Sequence, residues 1–353
     1  MKKRVLSTRG ALPGEGLSRL ASRPDTDVVH WTGTGRPEPA ELASLAAGAG
    51  GVSAVLALGN DRVDAELLDA AGPSLKVVGL ASMGFDGVDR RAAAERGVVV
   101  THTPGVLAET TADLTFALIL AARRRLGAAR DALHSGAWDL FRMADHLGLD
   151  VHGATLGLVG YGQIGRAVAR RAAGFGMRVL HHDPFGPAAD GLSTPVSLPR
   201  LLAESDVVSL HVPLTDATRH LIGAAELRVM KPTATLVNTS RGGVVDEAAL
   251  LHALDEGRLH SAGLDVYERE PRGADVADLT ARPNLFALPH IGSATEPTRA
   301  AMVDLAVDNV LDVLDGRPAR TPLPGTRAEP GATSDPVPGT TAGPRPGTKA
   351  EPA

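Results

Sequence analysis

Cysteine is absent from the 353-residue chain, which excludes disulfides, thiolate metal sites and cysteine nucleophiles. Long apolar runs are absent too. The longest, 114–122, breaks on Arg123-Arg124-Arg125, far short of the roughly 20 apolar residues a membrane-spanning helix needs. Met1-Lys2-Lys3-Arg4-Val5-Leu6 carries positive charge with no sustained apolar stretch behind it, so the middle region of a secretory signal is missing. Basic charge is not in excess: the formal net charge is -5, which speaks against general affinity for nucleic acid or anionic membranes. A soluble cytoplasmic protein is expected, with neither of those partners. His181-His182 has no acidic or histidine partner at ligand spacing, so no metal is expected.

What is present is a chain long enough for two hydrophobic cores, with 43% hydrophobic residues. Short β-branched runs alternate with Ala/Leu/Arg stretches of helical period, the pattern of strands and crossover helices in an α/β protein with parallel sheets. Strands are expected at 52–58, 77–80, 98–101, 155–159, 178–182, 207–211, 235–238 and 262–264. An amphipathic helix is expected over 296–315, with Met302, Leu305, Val310, Leu311 and Leu314 as its stripe. From Gly316 the composition turns to Pro, Gly, Thr and Ala, which predicts a disordered tail at 317–353. Arg123-Arg124-Arg125 is expected on a solvated or subunit-facing helix surface. Trp138 is expected to be a packing anchor or, alternatively, a dimer contact.

The run Leu158-Val159-Gly160-Tyr161-Gly162-Gln163-Ile164-Gly165 places G-x-G-x-x-G between an apolar strand and an Ala-rich helix. Gly160 permits a tight turn, Gly162 lets backbone approach a pyrophosphate, and Gly165 lets helix pack on strand. The helix N-terminus offers free amides and its positive dipole end. About twenty residues on, Asp183 ends a strand where the fingerprint expects an acid for the ribose hydroxyls, which favours NAD over NADP. A protonated His182 would soften that preference. Farther along, Arg241, Glu270 and His290 each follow an apolar strand, and the carboxyl ends of parallel strands line ligand crevices.

In these segments the chain resembles the D-isomer-specific 2-hydroxyacid dehydrogenase family, most closely its glyoxylate and hydroxypyruvate reductases. The resemblance covers about residues 50–316 and rests on the G-x-G-x-x-G, on Asn238-Thr239-Ser240-Arg241-Gly242-Gly243, on Gly263-Leu264-Asp265-Val266 leading to Glu270-Pro271, and on Pro289-His290-Ile291-Gly292-Ser293-Ala294-Thr295, in family order. It implies two Rossmann-like lobes with the active site in the cleft between them. The substrate lobe would be 1–101 plus 293–316 and the NAD-binding lobe 102–292.

The resemblance also implies a small 2-keto or 2-hydroxy acid substrate, NAD as cofactor and a homodimer. Arg241 would bind the substrate carboxylate through its planar fork of donors. His290 would move the proton as hydride is transferred, and Glu270 would orient and charge it. Met83 and Gly84 match the loop whose amides hold the carboxylate; many relatives carry valine at Met83, which bears on substrate size. Implied cofactor contacts are Thr111, Gln163, Ile164, His211, Val212, Pro213, Thr218, Asn238, Thr239, Ser240, Asp265, His290 and Gly292, with Asp265 on the nicotinamide carboxamide. Relatives of this fold also act on formate, phosphite or phosphonate-bearing acids, and one branch senses NAD(H) as a corepressor. Both stand as alternatives.

Overall fold

The computed structural model describes residues 2–48, 50–186, 190–270 and 276–326. Among them two sheets form, with every strand pair parallel. The first contains β1 (Lys3–Ser7), β2 (Thr26–His30), β3 (Ala54–Ala57), β4 (Val77–Leu80) and β5 (Val99–Thr101), in the order β2-β1-β3-β4-β5. The second contains β6 (Thr155–Val159), β7 (Arg178–His182), β8 (Thr194–Pro195), β9 (Val207–Leu210), β10 (Thr235–Asn238), β11 (Ser261–Leu264) and β12 (Leu285–Ala287). Their order is β12-β11-β10-β9-β6-β7-β8. The chain therefore turns back beside β6, and the β6/β9 boundary is the switch point at which such sheets bind ligands.

The central strands β3, β4, β6, β9, β10 and β11 are buried along their length because both faces of each sheet are covered. In the first lobe Leu6, Val55, Ala57 and Val78 face one core, while Val5, Ala54, Leu56 and Val77 face another. The chain crosses to the second lobe through α1 (Ala108–Arg123), followed by α2 (Leu126–His134), with α3 (Gln163–Ala172) after β6. It crosses back in α4 (Glu296–Leu314), which Thr295 begins by accepting the Thr298 amide and Pro297 favours in its first turn. The stripe that α4 buries on the first sheet is Val303, Ala306, Val307, Val310 and Leu314. Of the expected stripe Met302, Val310 and Leu314 are buried, whereas Leu305 and Leu311 lie half-buried at its edge.

Three expectations need correction. Residues 317–326 are not disordered: Pro322 bridges Thr101 antiparallel, the Leu323 amide donates to Val100 O at 2.7 Å, and the Leu323 side chain is buried in the first core. The rest of the expected tail, 327–353, lies outside the described residues. Arg123 is not solvated; it is buried and donates to the carbonyls of Asp150, Asp206 and Thr233, tying together the entries to β6, β9 and β10. Trp138 is not a buried packing anchor, being 60% exposed.

Candidate active site

Gly160 closes β6 with φ 94°, and a Cβ there would lie 2.6 Å from His211 O at the end of β9, so the switch point admits only glycine. A Cβ on Gly165 would meet Gly160 O at 2.4 Å, which is how closely α3 approaches the turn. Gly162 faces open space instead, as its expected role against a phosphate requires. Asp183, ending β7, accepts the Tyr161 amide at 2.8 Å and the Phe185 amide at 2.9 Å. The acid and the glycine turn are thus one hydrogen-bonded unit at the start of α3, and these residues fit a dinucleotide.

His211 turns its carbonyl to that unit while its ring is enclosed. Burial pushes its pKa down to about 3, so the ring is neutral. Its Nε2 meets Ser209 Oγ at 2.9 Å, and its Nδ1 has no hydrogen-bond partner among the described residues. Thr218 is spent on its own loop, donating to Pro213 O at 2.6 Å and accepting the Thr215 amide.

Arg241, Glu270 and His290 follow β10, β11 and β12, which are neighbours in the sheet. His290 Nδ1 donates to Glu270 Oε2 at 2.6 Å, and the other Glu270 oxygen accepts the Tyr267 amide at 2.8 Å. The Glu270 bond, opposed by burial and aided by the Glu270 charge, raises the His290 pKa above its ordinary value. Burial alone would raise Glu270, but the bond to His290, the nearby positive charges and the Tyr267 amide hold it below the usual carboxylate range. Arg241 lies close enough for its charge to act on both groups.

His290 adopts φ 53°, a left-handed conformation. Asp265 holds it there: buried, it accepts the Ile291 and Gly292 amides, both at 2.7 Å. Burial raises the Asp265 pKa against those two bonds. Thr111 Oγ1 donates to Gly292 O at 3.1 Å and completes the turn. Asp265 and Thr111 therefore build the loop that carries His290. Asn238 does the same for Arg241, donating to Arg241 O and accepting both the amide and the hydroxyl of Ser240. Thr239 meets Thr115 of α1 at 3.1 Å.

The first lobe meets this group at Gly84 and Asp86, in the loop that also holds Met83. A Cβ on Gly84 would lie 1.6 Å from Arg241 Nη2, so any larger residue there would displace the guanidinium that crosses it. Arg241 Nε donates to Asp86 Oδ2 at 2.7 Å. Ser82 Oγ donates to Gly84 O and His102 Nδ1 to Met83 O, pinning the loop from beneath. Two lobes thus bring a guanidinium, an imidazole–carboxylate pair and the Gly84–Asp86 loop together. The contribution of Asp86 was not legible in the sequence, where it sits among ordinary turn residues.

This combination of two parallel-sheet lobes, a dinucleotide turn and an Arg/Glu/His group defines a nicotinamide-dependent dehydrogenase. The family model for "D-isomer specific 2-hydroxyacid dehydrogenase, NAD binding domain" matches residues 116–292, and the chain belongs to that family. It is 44% identical over 318 residues to a glyoxylate reductase of Korarchaeum cryptofilum, covering 88% of this chain and 92% of that one. Among solved structures it is similar to the TT0316 protein from Thermus thermophilus, with TM-score 0.84, 46% identity, and 91% and 99% of the two chains covered. It is also similar to an NADPH-dependent glyoxylate/hydroxypyruvate reductase from Sinorhizobium meliloti, solved with NADP and malonate, with TM-score 0.81, 35% identity, and 94% and 100% covered.

Proposed function

We propose that the protein reduces small 2-keto acids of the glyoxylate and hydroxypyruvate class to D-2-hydroxy acids with NADH. The observation that carries this reading is the Glu270–His290 pair facing the same cleft as Arg241, with Gly84 of the other lobe against the guanidinium. Arg241 offers paired donors to the carboxylate and C2 oxygen of a 2-keto acid, and the Met83 and Gly84 amides add a backbone nest. His290, kept charged by Glu270, donates its Nε2 proton to the carbonyl oxygen; in the reverse direction it accepts one. Bound nicotinamide supplies the hydride. Glyoxylate and hydroxypyruvate are the compounds named for the relatives in Korarchaeum cryptofilum and Sinorhizobium meliloti.

Asp183 sits where a 2'-phosphate would meet negative charge, which supports NADH over NADPH. The reading includes the lobe boundaries given above, with 317–326 added to the substrate lobe, and work in the cytoplasm. It also includes a homodimer: α2 buries none of its residues, and Leu133, Trp138, Leu140, Phe141 and Met143 project into solvent from α2 and the segment after it. Among the described residues no helix is long and apolar enough to cross a membrane.

An absorbance screen of NADH and NADPH against small 2-keto acids tests the activity. Turnover of glyoxylate or hydroxypyruvate with NADH is expected, and tight NADH binding without turnover on any of them would refute it. Asp183→Ala is expected to shrink the preference for NADH; an unchanged ratio counts against its assignment.

A further inference from the structure

We infer that Asp86 is a positioning residue for Arg241, fixing the guanidinium across the cleft so that one edge is left for substrate. The inference rests on the proposed 2-keto acid reading and extends it to a residue of the opposite lobe.

An arginine has five N–H donors in a rigid plane. Arg241 spends Nε on Asp86 Oδ2 at 2.7 Å and Nη1 on Ser240 O at 2.8 Å. Nη2 has no hydrogen-bond partner among the described residues and lies over Gly84, where even a methyl group could not fit. Two fixed donors on a planar group determine where the third points. The side chain is one-third exposed, and without the Asp86 bond its long stem would sample other rotamers.

Asp86 is suited to the task because its loop is itself fixed. The Thr103 amide donates to Ser82 O at 2.8 Å, the Val88 amide to Phe85 O at 3.1 Å and the Val63 amide to Gly87 O at 2.9 Å. The carboxylate thus stands on backbone tied to the first sheet, whereas Arg241 follows β10 of the second. An aligned Arg241 therefore exists only when the lobes stand as close as they do here, and closing the cleft and aiming the guanidinium are one event. An exposed ion pair of this kind adds little to stability. Its value lies in direction, since a misplacement of about 1 Å in a substrate-holding group costs on the order of a hundredfold in rate.

The test uses the full chain loaded with NADH, reading KM for glyoxylate and hydroxypyruvate, Kd for the unreactive anion oxamate, and Kd for NADH. In Asp86→Ala, KM and the oxamate Kd are expected to rise roughly ten- to a hundredfold while the NADH Kd stays within twofold. Asp86→Asn keeps an acceptor for Nε–H and is expected to recover most of the loss. Asp86→Glu, which keeps the charge but moves it outward, is expected to remain impaired and serves if the alanine variant does not fold. KM and oxamate Kd within twofold of wild type in Asp86→Ala overturn the inference, as do an equal rise in the NADH Kd or no recovery with asparagine. A wild-type chain that neither reduces these acids nor binds oxamate removes the proposed function and this inference together; an active wild type with indifferent Asp86 variants removes the inference alone.

Discussion

His290 occupies the left-handed region that costs a side chain with a Cβ about 1–2 kcal/mol and that asparagine tolerates better. His290→Asn is therefore expected to abolish most turnover without lowering the melting temperature, and a clear drop in that temperature would show the turn is not strained. The proton on His290 is equally open to test. Because Glu270 raises its pKa above 6.5, reduction should persist above that pH and fail as pH climbs through the raised value, with oxidation rising over the same range. Glu270→Gln removes the charge and should move the falling limb of kcat/KM to lower pH; an unmoved limb would take Glu270 out of this role. The trio was legible in the sequence because each member follows an apolar strand. Asp265 and Asn238 were legible as positions only. Their carboxylate and amide are spent on the turns that carry His290 and Arg241, pairings between segments that no local spacing reveals.

At the scale of elements, strands buried on both faces were plain in the sequence as apolar runs, and β4, β6, β7 and β10 have the expected limits. The strands β1 and β2 escaped because Lys3, Arg4, Thr26 and Asp27 interrupt their apolar signal. The strap at 317–326 escaped for another reason. Its composition is that of a linker, yet its hold comes from backbone paired with β5, from the buried side chains of Leu323 and Thr326, whose hydroxyl accepts the Val100 amide, and from Arg317 and Arg320 on Asp312 of α4. Thr321 adds a contact of its own, donating to His102 O and accepting from Asn309 of α4. Leu323→Ala is expected to cost about 2–5 kcal/mol, read as a lower urea midpoint for the first lobe. A change under about 0.5 kcal/mol, the range of ordinary surface substitutions, would mean the strap is incidental.

For the whole molecule, the exposed apolar segment around α2 bears on assembly. Phe141 and Met143 are 73% and 83% exposed, and the replacement of both by Glu should turn a homodimer into a monomer in sedimentation. A wild-type chain that already sediments at 36.4 kDa would refute the dimer. The division into two lobes was legible from length and from the recurring strand and helix pattern. The return of the chain through α4 was implied by the family resemblance and not by the apolar stripe itself, and its continuation into the strap was legible from neither.

That return sets an order of construction. The sheet β6–β12 is made from one uninterrupted stretch, whereas β1–β5 wait for α4 and the strap to cover Val5, Val77 and Val100. During synthesis the half that begins first is the half that matures last, and until residue 326 has emerged its apolar sheet is a surface for chaperones to guard.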